Sequence, residues 1–219
     1  SSAAEEERRV AFIRKLVLQR DRSLENQLLQ ESKRYLAQYP RGAYAAEVHF
    51  YLGTCYQALC DSERAFLNLS RVLLFYPDSR FAADSRRAMA KLLHENRAQW
   101  AADWQRLMEV VYTETENQQD RGGTLFERYL EQFAEFESYR FQRLFVEEAL
   151  RFSLQYGDDP AADDALWNAA VQLRSSGRFQ EAVITLTELA ARFPESERTA
   201  AALLEIGELL IVELDDGTY

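Results

Sequence analysis

The fold of this chain is decided by a nine-residue stretch that is present as two near-copies in its first half. The first copy reads Tyr39-Pro40-Arg41-Gly42-Ala43-Tyr44-Ala45-Ala46-Glu47, and the second reads Tyr76-Pro77-Asp78-Ser79-Arg80-Phe81-Ala82-Ala83-Asp84. Pro77 follows Pro40 by 37 residues, and a third aromatic–proline pair, Phe193-Pro194, closes a similar stretch later in the chain. A period in this range is typical of solenoids built from helix pairs. We therefore predict stacked helix pairs that present an extended surface to other proteins.

The composition favours a helical globular protein and argues against several functional classes. Of the 219 residues, 47% are hydrophobic and 28% are charged, which is typical of a folded domain. The chain has only 8 glycines and 4 prolines, which favours long helices joined by tight turns. The formal net charge is −10, and no run of Lys and Arg is long enough to follow a phosphate backbone, so we expect no nucleic-acid partner. No apolar run approaches the roughly 18 residues of a membrane span, so we expect no transmembrane segment.

The segment 46–77 resembles a tetratricopeptide repeat, a unit of about 34 residues that forms two antiparallel helices. The residues that carry the resemblance are Leu52-Gly53, Cys55-Tyr56, Ala65, Leu69, Val72 and Pro77. Cys60 departs from the pattern, because the family prefers glycine in that turn. Gly53 and Ala65 are predicted at the crossing of the two helices, where a longer side chain would push the axes apart.

A second copy of the pattern runs over residues 163–194. It contains Leu166-Trp167, Ala169-Ala170, Leu173, Ser176-Gly177-Arg178-Phe179, Ala182, Leu186, Leu189 and Pro194. Gly177 is placed to adopt the left-handed conformation that ends a helix, and Phe179 is placed to begin the next helix. The resemblance implies an all-α fold, a right-handed superhelical solenoid of helix pairs similar to tetratricopeptide repeats.

The remaining segments are interpreted as weaker copies, giving eleven helices and one continuous solenoid. We expect N-terminal repeats over 1–96, degenerate aromatic-rich repeats over 97–157, and a C-terminal repeat with an unpaired final helix over 158–219. Residues 118–123 are expected to form a loop. The helices outside the two best copies are predicted at 5–20, 24–38, 80–96, 98–115, 123–134, 136–156 and 196–213.

The style of the repeated stretch, Tyr-Pro-x-Ser-x-aromatic-Ala, is similar to a bacterial cell-envelope branch of the family. That branch includes the lipoprotein of the outer-membrane β-barrel assembly machinery and the periplasmic coordinator of the Tol-Pal system. The resemblance implies a periplasmic or envelope-associated protein that acts in an envelope complex. A cytoplasmic adaptor or regulator, and the non-catalytic helical domain of a larger enzyme, remain alternatives.

Residue types that carry catalysis do not occur in any recognisable arrangement, so we expect a protein that is not an enzyme and holds no cofactor or metal. His94-Glu95 lacks the second histidine of a zinc-binding helix, and His49 is expected to pack in the core. Asp158-Asp159 and Asp163-Asp164 lack the ligand spacing of a calcium loop and are better explained by helix capping. Cys55 and Cys60 are too far apart on a helix for a disulfide, and we expect two buried thiols.

The resemblance implies a partner-binding groove, because the first helix of each pair lines the concave surface in this family. The repeat positions that point into that groove are Glu47, Phe50, Thr54 and Gln57 in the first copy, Asp84, Arg87 and Lys91 in a third repeat, and Asp164, Trp167, Val171 and Arg174 in the later copy. The alternative is that Phe50 and Trp167 pack between neighbouring helices. Family members that clamp chaperone carboxylates use Lys and Asn where Phe50 and Thr54 stand, so we do not expect that role.

Two regions carry more apolar surface than a helix pair needs. Aromatic residues crowd 100–156 at three- and four-residue spacing, which favours core packing, with an exposed partner patch as the alternative. The predicted final helix has apolar residues on more than one face, among them Leu203, Ile206, Leu209 and Leu210. We therefore expect self-association through this helix, or a cover provided by further sequence.

Overall fold

The computed structural model describes residues 3–19, 21–112, 129–130, 133, 136–157 and 161–216, with side chains through Ile211. Over these ranges the chain forms ten α-helices and no β-strand. Within each of the two units given below, helices that follow one another in sequence pack against one another. The predicted all-α repeat solenoid is confirmed.

The chain divides into two compact units, Ser1–Gln118 and Gln119–Tyr219. The first unit contains α1 (Ala3–Gln19), α2 (Glu25–Gln38), α3 (Ala45–Ala58), α4 (Ser62–Phe75), α5 (Ala82–Glu95) and α6 (Trp104–Tyr112), with a short 3-10 turn at Arg22–Leu24. The second contains α7 (Tyr139–Gln155), α8 (Ala162–Ser175), α9 (Phe179–Arg192) and α10 (Glu197–Asp216). Within these ranges no helix is both long enough and apolar enough to cross a membrane.

The helix bounds repeat with the period of the sequence. A shift of 37 residues carries α2 onto α4 and α3 onto α5, end for end. A shift of 117 residues carries α3 and α4 onto α8 and α9 in the same way. The two best-matched segments of the sequence are therefore the same structural unit, and equivalent positions can be compared directly.

The crossing of α3 with α4 depends on Gly53. A Cβ atom added to Gly53 would lie 2.7 Å from Cγ of Leu69 and 3.3 Å from the carbonyl oxygen of Ala65. Real Cβ atoms do not approach other carbons so closely, and Ala65 itself is fully buried. The predicted role of both small residues is confirmed. His49 on α3 is also buried, with Nδ1 3.2 Å from Oδ1 of Asn68, as expected for a packed core histidine.

The turn between the helices of a pair requires a left-handed residue. Gly177 has φ 72° and Cys60, its equivalent at a shift of 117 residues, has φ 60°. The prediction for Gly177 is confirmed, and α9 begins at Phe179 as expected. Cys55 is buried, but Cys60 is exposed, so the expectation of two buried thiols is wrong for Cys60. Its position in the turn holds its side chain outside the helix-pair core.

The segment before α6 departs from the prediction. The sequence predicts a helix over 98–115, but residues 96–103 form turns and α6 begins at Trp104. Trp100 is fully buried and packs edge-on against Phe66, with ring centroids 5.6 Å apart. Its indole Nε1 donates a hydrogen bond to buried Glu63 at 3.0 Å, and Gln99 donates to the same oxygen at 2.7 Å. Since a buried carboxylate needs such donors, the turns that bring these two side chains to Glu63 replace the expected helix.

Most of the described aromatic residues of 100–156 lie in the core, which confirms core packing for those residues. Phe136 is central, with ring centroids 4.8 Å from Phe133 and 4.9 Å from Phe141. Tyr112 and Tyr139 are exposed. The predicted loop 118–123 and most of the predicted helix 123–134 lie outside the described residues.

Replacing Gly53 with alanine tests the helix crossing. The added methyl group meets the branch carbon of Leu69, and we expect a net loss of about 1–3 kcal/mol from overpacking. Gly207 on α10 is the matched control, because an added Cβ there has no heavy atom within 4 Å. Gly207→Ala should stabilise the protein by about 0.5–1 kcal/mol through helix propensity. Thermal unfolding of both variants measures the difference in their stability. Equal melting temperatures would contradict a close approach of α3 and α4 at Gly53.

Replacing Cys60 with glycine tests the turn. A left-handed residue with a Cβ atom costs roughly 1–2 kcal/mol, and glycine removes that cost while adding entropy to the unfolded chain. We expect Cys60→Gly to raise the melting temperature slightly and Cys60→Val to lower it. Urea unfolding gives the change in the free energy of unfolding, provided that the m-value stays constant. A glycine variant that is less stable than the valine variant would contradict the left-handed conformation of residue 60.

Candidate functional site

The predicted groove residues of the first unit lie on α3 and α5, and Glu47 is the most buried of them. Arg14 on α1 binds its carboxylate with two hydrogen bonds, from Nε at 2.6 Å and from Nη2 at 2.7 Å. The hydroxyl of Tyr51 donates to the same carboxylate at 2.9 Å, and Nη2 of Arg80 lies 3.8 Å away. Glu47 thus joins α1 and α3, the first helices of two successive pairs.

The electrostatics of this cluster favour the ionised carboxylate. Burial alone would raise the pKa of Glu47, but the hydrogen bonds from Arg14 and Tyr51 outweigh it and hold the pKa below its ordinary value. Burial and the bond to Glu47 raise the pKa of Tyr51 to about 12. The guanidinium pKa of Arg14 is raised, chiefly by its hydrogen bond to Glu47. All three groups therefore keep one charge state at neutral pH.

Beside this cluster lies an aromatic platform formed by Phe50, Tyr51 and Phe81. The ring centroid of Phe81 is 5.3 Å from that of Phe50 and 5.9 Å from that of Tyr51. The exposed guanidinium of Arg80 lies over Phe81 at 4.7 Å. The three rings are half-buried, so part of each remains accessible to solvent. An aromatic surface with a cation above it suits contact with a peptide side chain.

The other predicted groove residues of the first unit are polar and more exposed towards the end of α5. The hydroxyl of Thr54 donates to the carbonyl of Tyr51 at 2.9 Å, and Gln57 is half-buried. Arg87 pairs with Asp84 one turn earlier on the same helix. The final member, Lys91, lies 3.6 Å from the carboxylate of Glu95 and is likewise exposed.

The second unit repeats this arrangement with different chemistry. Asp164 stands where Glu47 stands in the first unit, and it accepts a hydrogen bond from Nε of Arg198 at 2.7 Å. The guanidinium of Arg198 also lies over half-buried Trp167, 5.5 Å from its ring centroid. Val171 is exposed, and Arg174 pairs with Glu205 of α10.

Phe81 and Arg198 are equivalent positions at the start of the next first helix, and sequence reasoning missed both. Each covers the aromatic residue at groove position 5 of the preceding repeat, Phe50 or Trp167. Arg14 was missed as well, since α1 was not assigned groove residues. The 117-residue shift between the two best-matched repeats could have indicated them, because it aligns Phe81 with Arg198. The structure thus brings Glu47 with Phe50, and Asp164 with Trp167, into two clusters and places the remaining predicted residues along the same helices.

Comparison with known proteins supports a tetratricopeptide-repeat protein. The tetratricopeptide-repeat family matches residues 164–196, which span α8, α9 and the turn that follows them. No curated protein matches the chain. Over the described residues, no group of His, Cys, Asp and Glu side chains is arranged to hold a metal ion.

Replacing Glu47 with glutamine tests the cluster and its pH dependence. The variant loses the ionic component of the bonds to Arg14, and we expect about 1–2 kcal/mol lower stability at pH 7, since partial exposure of Arg14 screens the pair. Because the folded pKa of Glu47 lies below its ordinary 4.5, this stability is present above pH 4.5 and is lost as the pH falls through the folded value. The difference between variant and wild type should therefore shrink on acidification.

Glu95→Gln is the matched control for this prediction, because Glu95 pairs with Lys91 on an exposed helix face. Such a pair contributes about 0.3–0.5 kcal/mol. Melting temperatures from pH 3 to pH 7 give both profiles. A Glu47→Gln deficit that stays constant over this range would show that the charge of Glu47 is not the stabilising feature.

Proposed function

We propose that this protein is a non-enzymatic scaffold that binds a peptide or helix of a partner protein along its first helices. The observation that carries the proposal is the pair of clusters around Phe50 and Trp167. Each places a half-buried aromatic ring beside a buried or paired carboxylate and a guanidinium, at the groove position of its repeat. Tetratricopeptide repeats are interaction modules, and the match at residues 164–196 supports this role.

The contacts around Phe50 and Trp167 favour a role in partner binding over a purely structural role. Arg14 and Tyr51 donate hydrogen bonds to the buried carboxylate of Glu47, and these bonds hold the residues beneath the aromatic platform in place. Arg80 remains exposed above the platform, and Val171 is exposed on the same helix as Trp167. Half-buried aromatic rings that pack on one another lose little conformational freedom on binding, which is the property expected of an interaction hot spot.

We further propose that the scaffold acts in a bacterial envelope complex, with a periplasmic or envelope-associated location. This part of the proposal rests on the Tyr-Pro-x-Ser-x-aromatic-Ala style of the repeated stretch. Fractionation of cells that express the full gene with an epitope tag tests it. Recovery of the protein in the cytoplasmic fraction would instead favour a cytoplasmic adaptor.

Substitution of the groove aromatics tests the binding function. We expect Phe50→Ala and Trp167→Ala to weaken partner capture about tenfold or more, since truncating a hot-spot aromatic typically costs about 2 kcal/mol or more. Capture from envelope extract by immobilised protein, followed by quantitative mass spectrometry, measures the effect.

Two further variants separate binding from stability in this test. Val171→Asp changes an exposed groove position without removing a core contact, and it should weaken capture while leaving the melting temperature unchanged. Leu154→Ala is the matched control, because Leu154 is exposed on α7 and is not one of the groove positions. Capture of the same proteins, in equal amounts, by all four variants would refute the groove as the binding site.

A further inference from the structure

Arg80 is an exposed cation beside a carboxylate that Arg14 already balances. The Glu47 carboxylate accepts two hydrogen bonds from Arg14 and one from the hydroxyl of Tyr51. Nη2 of Arg80 lies 3.8 Å from Glu47, which is beyond hydrogen-bond distance, and the Arg80 side chain is 74% exposed. The guanidinium carries five N–H donors. The first unit therefore has a positive charge next to the aromatic platform that the Glu47 cluster does not neutralise.

The repeat fold does not require a cation at this position. Exposed Ala43 stands two residues before the start of α3, as Arg80 stands two residues before α5, and the two helices have the same length. At the equivalent position in the second unit, α10 begins at exposed Glu197. A first helix therefore follows whether this residue is neutral, cationic or anionic. Since folding does not explain the charge of Arg80, we interpret that charge as part of a binding surface.

Two further predicted groove residues carry the same charge along α5. Arg87 and Lys91 lie one turn apart, and their side chains are 76% and 65% exposed. Each pairs with a carboxylate of the same helix, Arg87 with Asp84 and Lys91 with Glu95. Exposed pairs of this kind contribute little to stability, so a carboxylate of a partner can replace them at small cost. We call Arg80, Arg87 and Lys91 the cationic row.

The second unit has a different charge at the equivalent positions. A shift of 117 residues carries the cationic row onto three exposed residues, Glu197, Leu204 and Glu208. The row is therefore a property of the first unit and not of the repeat. It also occurs in a chain whose formal net charge is −10. Because opposite charges across an interface determine which partners are accepted, a cationic row on an acidic protein favours an acidic partner.

We propose that the groove of the first unit binds a partner segment in which Asp or Glu side chains lie next to aromatic or large aliphatic side chains. This inference rests on the proposed groove function and adds the chemistry of the partner. The guanidinium of Arg80 lies 4.7 Å from the ring centroid of Phe81, so a carboxylate bound to Arg80 brings its neighbouring apolar side chain onto the aromatic platform. Further carboxylates of the segment pair with Arg87 and Lys91.

The carboxylates come from side chains and not from the end of the partner chain. Arg87 follows Arg80 by seven residues, and Lys91 follows Arg87 by four residues. Four residues correspond to about 6 Å along a helix axis. A terminal carboxylate places one charge at one point, whereas acidic side chains along a segment place several charges at such a spacing. The cationic row therefore fits an internal acidic segment.

Selection of random peptides on the immobilised full chain tests this proposal. The probe is a library displayed at the amino terminus of a phage coat protein, so its peptides have no free carboxyl terminus. We expect the selected peptides to be enriched in Asp or Glu next to Phe, Tyr, Trp or Leu, relative to the unselected library. Binding of these peptides should be lost on Phe50→Ala, which removes one ring of the aromatic platform.

Synthetic copies of the selected peptides, with amidated carboxyl termini, locate the binding. Arg80→Gln changes an exposed side chain, so the protein should fold, and it should weaken binding about tenfold in low salt and less in high salt. Arg80→Lys keeps the charge and should weaken binding less than Arg80→Gln. Arg34→Gln is the matched control, because Arg34 is an exposed, paired cation on α2 outside the groove positions, and it should bind as the wild type does. Circular dichroism checks that each variant folds.

Three results would overturn this inference and leave the groove function standing. The first is a set of selected peptides that depend on Phe50 but are not enriched in Asp or Glu. The second is equal binding of acidic peptides by Arg80→Gln and the wild type. The third is a neutral peptide with a free carboxyl terminus that binds as tightly as the acidic peptides. A library that yields no peptide dependent on Phe50 or Trp167 would count against the groove function itself.

Discussion

The structure depends on how closely the two helices of each pair approach one another. At Gly53 the space for a side chain is already taken by Leu69 and the backbone of Ala65. This close contact fixes the angle between α3 and α4, and the same helix lengths recur in α8 and α9. Since α3–α4 and α8–α9 have matching bounds, the start of the helix that follows each pair arrives at the equivalent place. That is why Phe81 and Arg198 meet the groove aromatic of the preceding repeat.

Much of the fold could be predicted from the sequence because it is set by local patterns. The aromatic–proline pairs, the small residues at the crossing and Gly177 in the turn each act within one helix pair. The prediction failed where a distant side chain decided the local structure. Residues 96–103 have a helical pattern, but they form turns in which Gln99 and Trp100 donate hydrogen bonds to the buried carboxylate of Glu63. Glu63 lies 36 and 37 residues earlier in the sequence. No spacing rule reveals that contact.

The candidate site was less predictable than the fold for a related reason. Helix phase predicts which residues share a helix face, but it does not show which of them already bind other side chains of the protein. Glu47 was predicted as a groove residue, and its carboxylate is buried and bound by Arg14. The family pattern assigns no groove position at or just before the start of a helix. For that reason it did not predict Arg80, Phe81 and Arg198 as site residues.

The packing of each helix against its neighbour in sequence also sets how the chain reaches its structure. In both units, each helix finds most of its contacts within the two helices beside it. The chain therefore closes short loops as it folds, and topologies of this kind fold rapidly. A nascent chain leaving the ribosome can complete one helix pair while the next is still being synthesised. Folding then relies chiefly on contacts between neighbouring helices, and each finished pair serves as the template for the one that follows.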